Sequence, residues 1–361
     1  MGSQSALPIV SIEERLQALV DNFGVVPHIA SGDLTEPGVL RKLFEQLRPQ
    51  AIVHLGQCPS APYSMIDVEH ATWVQRNNVV GTLDLLYAMT EVVPDAHLLK
   101  LGTMGEYGTP NIDIAEGFFE IEYQGRSDRL PFPRQTDSWY HWSKVHDSNN
   151  VMFASRLWGL RATDVMQGVV YGTRIDEMGD DPRLLTRLDF DQAFGTAINR
   201  FCCQAVIGEP LTLYGRGSQK RGFLPLRDSM QCLALAIENP PEQGEYRVFN
   251  QFEECYEIAF LAHKVVDAAQ EMDLASSVVR LENPRQEAEE HYYNPDRKGL
   301  LALGYEPTRD IEAELRLMLA DLLRYRSRIE VKREVLVPDI RWDGSRRRSL
   351  RLDQPVTADS G

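Results

Sequence analysis

His97-Leu98-Leu99-Lys100-Leu101-Gly102-Thr103 is the stretch from which we predict the fold of this chain. An apolar run that ends in a glycine and a hydroxyl residue is typical of a buried strand in a parallel sheet, with Thr103 at its carboxyl end. A similar run, Ala51-Ile52-Val53-His54-Leu55-Gly56, precedes it, and segments with helical spacing of apolar residues lie before and between the two runs. This β-α-β alternation predicts an α/β fold with a doubly wound parallel sheet.

The same patterns predict elements along the rest of the chain, and their character changes after Gly172. We therefore expect a sheet domain over residues 1–172, a smaller mixed α/β lobe over 173–330 that closes over a substrate, and a charged, flexible tail over 331–361. The predicted elements include a helix that starts at Ser11, a strand at 25–29, a hairpin of 118–123 with 126–130, a helix over 138–158, and strands at 160–166, 211–215 and 246–250.

Composition excludes several classes of function. The 361 residues carry a net charge of −15, which argues against nucleic acid as the main partner because phosphate backbones require clustered Lys and Arg. No apolar run reaches the roughly 18 residues of a membrane span, and no signal peptide opens the chain. The five cysteines have neither a disulfide framework nor metal-ligand spacing. We expect a cytoplasmic protein with no metal site.

Tyr140-His141-Trp142-Ser143-Lys144 is the main candidate for catalysis. A tyrosine and a lysine four residues apart lie on one face of a helix, and an ammonium close to a phenol lowers the pKa of the phenol toward that of a general base. The spacing alone also occurs by chance on exposed helices. Its position downstream of the strand that carries Thr103 favours the catalytic interpretation.

A strand-borne threonine followed by a helical Tyr-x-x-x-Lys resembles the catalytic set of the extended short-chain dehydrogenases/reductases, whose sheets are Rossmann-like. Longer stretches resemble one group within that family, the UDP-sulfoquinovose synthases, over about residues 8–330. These stretches are Ser60 to Asp67, Lys100 to Asn111, Tyr140 to Asp147, Gln167 to Gly172 and the segment that starts at Asn283-Pro284-Arg285.

The resemblance implies that UDP-glucose and sulfite give UDP-sulfoquinovose through a 4-keto intermediate, with tightly held NAD, in sulfolipid or sulfosugar biosynthesis. It implies that Tyr140, assisted by Lys144, takes the proton of the glucose 4-hydroxyl, which Thr103 holds in place. Nucleotide-sugar 4,6-dehydratases carry Asp-Glu directly after the threonine, where this chain has Met104-Gly105. We therefore expect Glu106 or His141 to move the protons at C5 and C6. A backbone-bonded Glu106 and a structural polar contact of His141 are equally open.

The resemblance also assigns residues to the two ligands and implies a homodimer through the helix that bears Tyr140. The cofactor contacts carried over are Asp33, Leu34, Leu55, Gly56, Asn78, Tyr140 and Lys144. The residues carried over to the UDP-sugar are Thr103, Met104, Gln167, Tyr214, Arg221 and Arg285, with Tyr214 stacked on uracil and the arginines at the ribose or diphosphate.

The chain departs from the family pattern at two places. It has no G-x-x-G-x-x-G turn, so we expect the first βαβ unit of the sheet to be missing, and we interpret the sequence as one shortened at its amino end. Gln57-Cys58-Pro59 also stands where family members usually carry Glu-Gln-Arg, which removes a natural contact for sulfite. Two alternatives stay open. One is another NAD-dependent nucleotide-sugar epimerase or dehydratase, and the other is an amino-terminally truncated, inactive nucleotide-sugar-binding homologue.

Overall fold

The computed structural model describes residues 4–285, 292–308, 310–337 and 340–342. Most of these residues form helices and strands, which alternate along the first half of the chain. In chain order, the first-half elements are α1 (Ile12–Phe23), α2 (Val39–Leu47), β1 (Ala51–His54), α3 (Ala61–Ser64), α4 (Val68–Gln75), α5 (Gly81–Val92), β2 (His97–Leu101), β3 (Phe118–Tyr123), β4 (Arg126–Pro131), α6 (Trp139–Trp158), β5 (Arg161–Gln167) and β6 (Val169–Tyr171).

The second half of the chain mixes helices with short strands. Its elements are α7 (Ala197–Ile207), β7 (Leu211–Tyr214), β8 (Lys220–Pro225), α8 (Leu226–Glu238), β9 (Tyr246–Gln251), β10 (Glu254–Glu257), α9 (Ile258–Gln270), β11 (Val278–Leu281), α10 (Lys298–Ala302), α11 (Ile311–Leu323) and α12 (Arg326–Glu330). The predicted helix over 138–158, the hairpin and the strand at 97–101 all form at the expected places.

The main sheet has four parallel strands in the order β1-β2-β5-β9. Apolar residues of α5 and α6, including Met89 and Val151, pack on one face against Leu98. Leu233 of α8 and Leu300 of α10 pack on the other face, against Leu99. Helices therefore cover both faces, which confirms the prediction of a doubly wound sheet.

The fourth strand corrects the predicted division of the chain at Gly172. β9 comes from the second half of the chain, yet it pairs with β5 in parallel over Ala162–Gln167. The lobe that begins after residue 172 therefore supplies one strand of the first lobe. The local pattern at 246–250 predicted a strand but gave no information on its partner.

The predicted strand at 25–29 does not form, and Val26 of this segment is 71% exposed. In the described part of the chain β1 pairs only with β2, so its outer edge is free. Residues 25–29 make no backbone hydrogen bond to that edge in the described structure, and their apolar residues stay in solvent. High strand propensity at 25–29 is therefore not sufficient for a strand here.

The second lobe has its own core, built from α7, α9 and α11, and the two ends of the described chain pack on it. Ala6 and Leu7 are fully buried there, and the Ala6 amide donates to the Leu188 carbonyl at 2.9 Å. Leu336 and Ile340, in the segment predicted to be a flexible tail, are also buried. The rest of that segment, from residue 343, lies outside the described residues. None of the described helices is long and apolar enough to cross a membrane.

Candidate active site

Helix α6 positions the central pair of the site. Ser138 caps its amino end by accepting from the His141 amide, and Gly159 ends it in a left-handed conformation. Tyr140 and Lys144 are both buried, one turn apart on the face that meets the carboxyl end of β2. Asp147, one turn further along, is buried on the same side.

The Thr103 side chain lies beside the Tyr140 hydroxyl. Burial raises the pKa of the Tyr140 hydroxyl above its usual value, and the negative charge of Glu106 adds to the rise, while the polar contact with Thr103 opposes it. Lys144 is not among the main groups that shift this pKa, so its effect on the phenol stays a prediction. The ammonium of Lys144 donates instead to the Gln57 side chain and to the Leu101 carbonyl.

Gln57 links Lys144 to Asp147. Its carbonyl oxygen accepts from Lys144, and its amide nitrogen donates to Oδ2 of Asp147 and, at 3.0 Å, to the hydroxyl of Thr82. In the sequence, Gln57 is recognisable only as a departure from a family pattern, and Asp147 was not predicted as a site residue. Asp147 stands three residues after Lys144, so helical spacing alone was a signal for it.

Asn78 lies behind this layer, and its predicted contact with the cofactor stays a prediction. It is fully buried, its Oδ1 accepts from the Cys58 amide at 2.8 Å, and its Nδ2 donates to Ser143 at 2.9 Å. These bonds fasten the loop at 57–59 to α6. Asn78 therefore positions the residues that line the cleft.

Glu106 is part of a buried ionic cluster. Its carboxylate accepts from Arg134 at 2.9 Å and from Ser148 at 2.9 Å, and the ammonium of Lys100 lies 3.8 Å away. Lys100 in turn contacts Asp164 at 3.2 Å. Glu106 is fully buried and hydrogen-bonded to both Arg134 and Ser148, so this geometry favours the alternative in which Glu106 is structural. Its hydrogen-bond partners are side chains as well as the backbone.

His141 is placed differently from Glu106. Its Nδ1 lies 2.8 Å from the Ser138 hydroxyl and 3.3 Å from Oδ1 of Asp137. Its Nε2 lies against Gly105, where a Cβ atom would overlap the imidazole. The glycine at this position therefore provides the space that the imidazole occupies beside the Tyr140 ring, at 4.8 Å between ring centroids.

A group of arginines lies next to Asp137, of which Arg200 is buried and Arg221 and Arg285 are half-buried. Burial raises the pKa of Asp137, but the hydrogen bond and charge of His141, followed by the charges of Arg221 and Arg285, lower it to about 2. Burial and the neighbouring charges of Arg200 and Arg221 lower the pKa of Arg285 to about 10. Three guanidinium groups so close together repel one another, so the site favours an anionic ligand with more than one negative charge.

Tyr214 lies at this arginine group. Two other residues of the group, Arg200 and Trp342, are not recognisable as site residues from the sequence. The Arg200 guanidinium lies 5.1 Å from the centre of the Tyr214 ring, and the Arg285 guanidinium lies 5.0 Å from the Trp342 ring. Arg200 comes from α7 and Trp342 from the end of the described chain. No local pattern connects either residue with Arg285, so only the fold brings them together.

Two other residues assigned to the sugar nucleotide lie in less accessible places. Met104 is buried in the core on the α5 and α6 side of the sheet, so its side chain is structural. Gln167 ends β5, and its amide nitrogen donates to Gln251 at 2.8 Å and to Ser229 at 3.1 Å. Its carbonyl oxygen is the part of this side chain that is left for a ligand.

A cleft of about 390 Å³ opens beyond β1. Its lining includes Leu55 and Gly56, two of the predicted cofactor contacts. Leu34 lies against Gly56, where a Cβ atom would meet its side chain. Asp33 is exposed, and its Oδ1 accepts from the amide and hydroxyl of Thr35 at 2.8 Å.

The cleft fits one half of a dinucleotide. The Leu34 side chain covers Gly56 at the edge of this cleft. Tyr140 packs with Cys58 and Lys144 donates to Gln57, and both of those partners line the cleft. The described residues hold no Gly-rich turn between a strand and a helix for a pyrophosphate. The fit therefore covers the reactive half of the cofactor.

Comparison with known proteins gives two kinds of match. A model of the NAD dependent epimerase/dehydratase family matches residues 9–250. The chain is 46% identical to the UDP-sulfoquinovose synthase of Sulfolobus acidocaldarius over 343 residues, which cover 95% of this chain and 87% of that protein. It is also 46% identical to the chloroplastic UDP-sulfoquinovose synthase of Spinacia oleracea over 342 residues, 95% of this chain and 70% of the relative.

A solved structure gives a more distant match, which concerns the fold. The UDP-glucose 4-epimerase of Thermotoga maritima, crystallised with UDP-glucose, superposes with a TM-score of 0.65 at 18% identity and covers 83% of this chain and 85% of its own. At this level of identity the likeness extends to the arrangement of the sheet and helices.

Proposed function

The chain belongs to the NAD dependent epimerase/dehydratase family, and we propose that it makes UDP-sulfoquinovose and water from UDP-glucose and sulfite. The observation that carries this proposal is the arrangement of Thr103, Tyr140 and His141 at the carboxyl end of β2, beside the arginine group. Thr103, Tyr140 and His141 supply groups for proton transfer at a sugar, and the arginine group supplies a site for a diphosphate.

The roles of the residues follow from their positions. Thr103 holds the 4-hydroxyl of the glucose, and Tyr140, which lies beside Thr103 and is assisted by Lys144 on the same helix, takes its proton. NAD, which Leu55, Gly56, Tyr140 and Lys144 would hold, would supply reversible hydride transfer at C4. The 4-ketone makes the proton at C5 acidic. Elimination of that proton and the 6-hydroxyl as water gives a double bond between C5 and C6, and sulfite adds at C6.

His141 is the group we assign to the C5 and C6 protons. Its Nδ1 is held by Ser138 and Asp137, so the imidazole is oriented with Nε2 on the side of Gly105 and the sugar site. Glu106 is tied up in its cluster with Arg134 and Ser148, which leaves it less suited to this task.

The diphosphate of UDP-glucose fits the arginine group formed by Arg200, Arg221 and Arg285. Two phosphate charges relieve the mutual repulsion of the three guanidinium groups, and Arg offers forked donors for them. Tyr214 then has its ring available near the base or ribose, with Arg200 on one side.

The second copy in a homodimer would cover the outer face of α5 and α6. We define this face by Leu83, Tyr87, Trp142, Phe153 and Leu157, all of which are exposed; Phe153 is 55% and Leu157 54% exposed. Trp142, Phe153 and Leu157 recur at helical spacing on α6, so they form one stripe. Exposed apolar stripes of this kind mark interaction sites.

The experiment is a product assay with and without sulfite. Purified protein is incubated with UDP-glucose, NAD and ³⁵S-sulfite, and the nucleotide sugars are separated and identified by mass. Sulfite-dependent formation of a sulfonated hexose nucleotide supports the proposal. UDP-glucose that is still unchanged after prolonged incubation, in protein shown by calorimetry to bind both NAD and UDP-glucose, contradicts it.

A second activity is favoured by the loop at 57–59. Gln57, Cys58 and Pro59 line the cleft and contribute no cation that attracts sulfite. A dehydratase of the same class would stop at a 4-keto-6-deoxy sugar nucleotide. That product, formed at the same rate with or without sulfite, would replace the first proposal by this one.

A further inference from the structure

A hydrogen-bonded chain behind the base carries the inference. It runs from the buried carboxylate of Asp147 to the side-chain amide of Gln57 and on to the ammonium of Lys144. All three residues lie at one end of β2, whose last carbonyl, that of Leu101, also accepts from Lys144. The partners are 90 and 87 positions apart in sequence, so their meeting is a property of the fold.

Both ends of the Gln57 side chain are hydrogen-bonded. The amide nitrogen donates to Asp147 and Thr82, which leaves the carbonyl oxygen turned toward Lys144. A carboxylate at Asp147 fixes this direction because a carboxylate accepts and does not donate. The other oxygen of Asp147 has no partner among the residues that the structure describes.

We infer that Gln57 and Asp147 are positioning residues of the proposed reaction: Asp147 fixes the amide of Gln57, and Gln57 holds the ammonium of Lys144 at the end of β2. The inference rests on the proposed function in so far as Lys144 assists Tyr140. It adds that the electrostatic environment of Lys144 is set through a neutral amide rather than by a directly paired carboxylate.

The charges around Lys144 are consistent with this arrangement. Burial lowers the pKa of Lys144 and the charge of Lys100 lowers it further, while the surrounding carboxylates oppose the change. Burial raises the pKa of Asp147, and the bond from Gln57 opposes that rise. The titratable groups that face Lys144 are Lys100 on β2, Asp147 on α6, Asp164 on β5, His54 on β1, Glu106 after β2 and Cys58 in the cleft loop.

The test measures the titration of Lys144 directly. The chain has seven lysines, so protein labelled with ¹³C at lysine Cε gives few signals, and Lys144→Arg identifies that of Lys144. Gln57→Glu places a carboxylate beside the ammonium and should raise the pKa of Lys144 by about one unit or more, a tenfold change in proton affinity. Asp147→Asn removes a nearby negative charge and should lower the pKa.

Gln124→Glu is the matched control because it makes the same change of charge in the exposed turn between β3 and β4. A shift in Gln57→Glu no larger than that in Gln124→Glu overturns the inference. If Asp147→Asn fails to fold, Gln57→Glu alone decides. The titration needs neither substrate nor cofactor, so it can succeed while the product assay fails, and the two proposals are thereby separated.

Discussion

At the scale of single residues, the phenol of Tyr140 is the group on which the proposed reaction depends. Tyr140→Phe should lower turnover of UDP-glucose by ~10²–10⁴, because no other oxygen is proposed to take the 4-hydroxyl proton. The ring still packs against Cys58 and Val74, so folding and UDP binding should persist. Steady-state rates and calorimetry check both parts.

Tyr123→Phe is the control for that change because it removes the same oxygen from the exposed end of β3. It should leave turnover unaltered. Near-normal rates in Tyr140→Phe would show that another group serves as the base.

The variants Glu106→Gln and His141→Gln should differ in stability and in exchange of the C5 proton. Glu106→Gln leaves Arg134 and Lys100 with fewer negative partners in a buried place, and we expect a loss of about 3–5 kcal/mol in the free energy of unfolding. His141→Gln should leave stability nearly unchanged, since its side chain is partly exposed, but should stop exchange of the C5 proton with deuterated solvent. Denaturant unfolding and NMR of recovered substrate give the two readouts.

The reverse pattern would restore the alternative role of Glu106. A stable Glu106→Gln protein that no longer exchanges the C5 proton, beside a His141→Gln protein that does, would assign the transfer to the carboxylate.

At the scale of elements, β2 begins with a buried histidine whose titration should appear in the stability of the protein. Burial lowers the pKa of His97 to about 4, and the charge of Arg247 adds to the effect. The unfolded state then binds the proton more tightly than the folded state. Stability is therefore intact above about pH 6.5, the unfolded value, and is lost as the pH falls toward 4.

From His97 alone, we expect the free energy of unfolding to fall by up to about 3 kcal/mol as the pH falls from 6.5 to 4. His97→Gln keeps a polar partner for the Thr163 hydroxyl, which lies 2.9 Å from Nε2, and should flatten the pH dependence of the unfolding midpoint. An equally steep profile in the variant would show that other groups cause the acid sensitivity.

Elements with a strong local signal were predictable from the sequence, and their partners were not. The apolar run of β2 and the capped helix α6 are each decided by neighbouring residues, so both form where predicted. Residues 25–29 have the composition of a strand, but strand formation needs a partner edge, which no local pattern reports.

The same limit applies to the candidate site. Tyr140, Lys144 and Thr103 carry a recognisable spacing, and the structure places them together. The chain from Lys144 through Gln57, and the approach of Arg200 to Tyr214, connect distant positions. The net shift in the pKa of Tyr140 is upward because burial, which spacing does not reveal, raises this pKa.

At the scale of the whole molecule, the apolar outer face of α5 and α6 should hold two copies together. Phe153→Asp and Leu157→Asp place charges on that face, so either change should convert a dimer into a monomer in sedimentation velocity. Val331→Asp puts the same charge on an exposed residue outside this face and serves as the control. A dimer that survives both changes on α6 would place the contact elsewhere.

The crossing of β9 into the main sheet has a consequence for the order of events during synthesis. A ribosome releases residues 97–167 long before residues 246–251, so a nascent chain first presents β5 with one edge unpaired. Exposed strand edges and uncovered apolar side chains such as Val165 are the features that chaperones bind and that lead to aggregation. Slow translation of the second half would prolong this state, since the first lobe reaches its final form only after most of the second has been made.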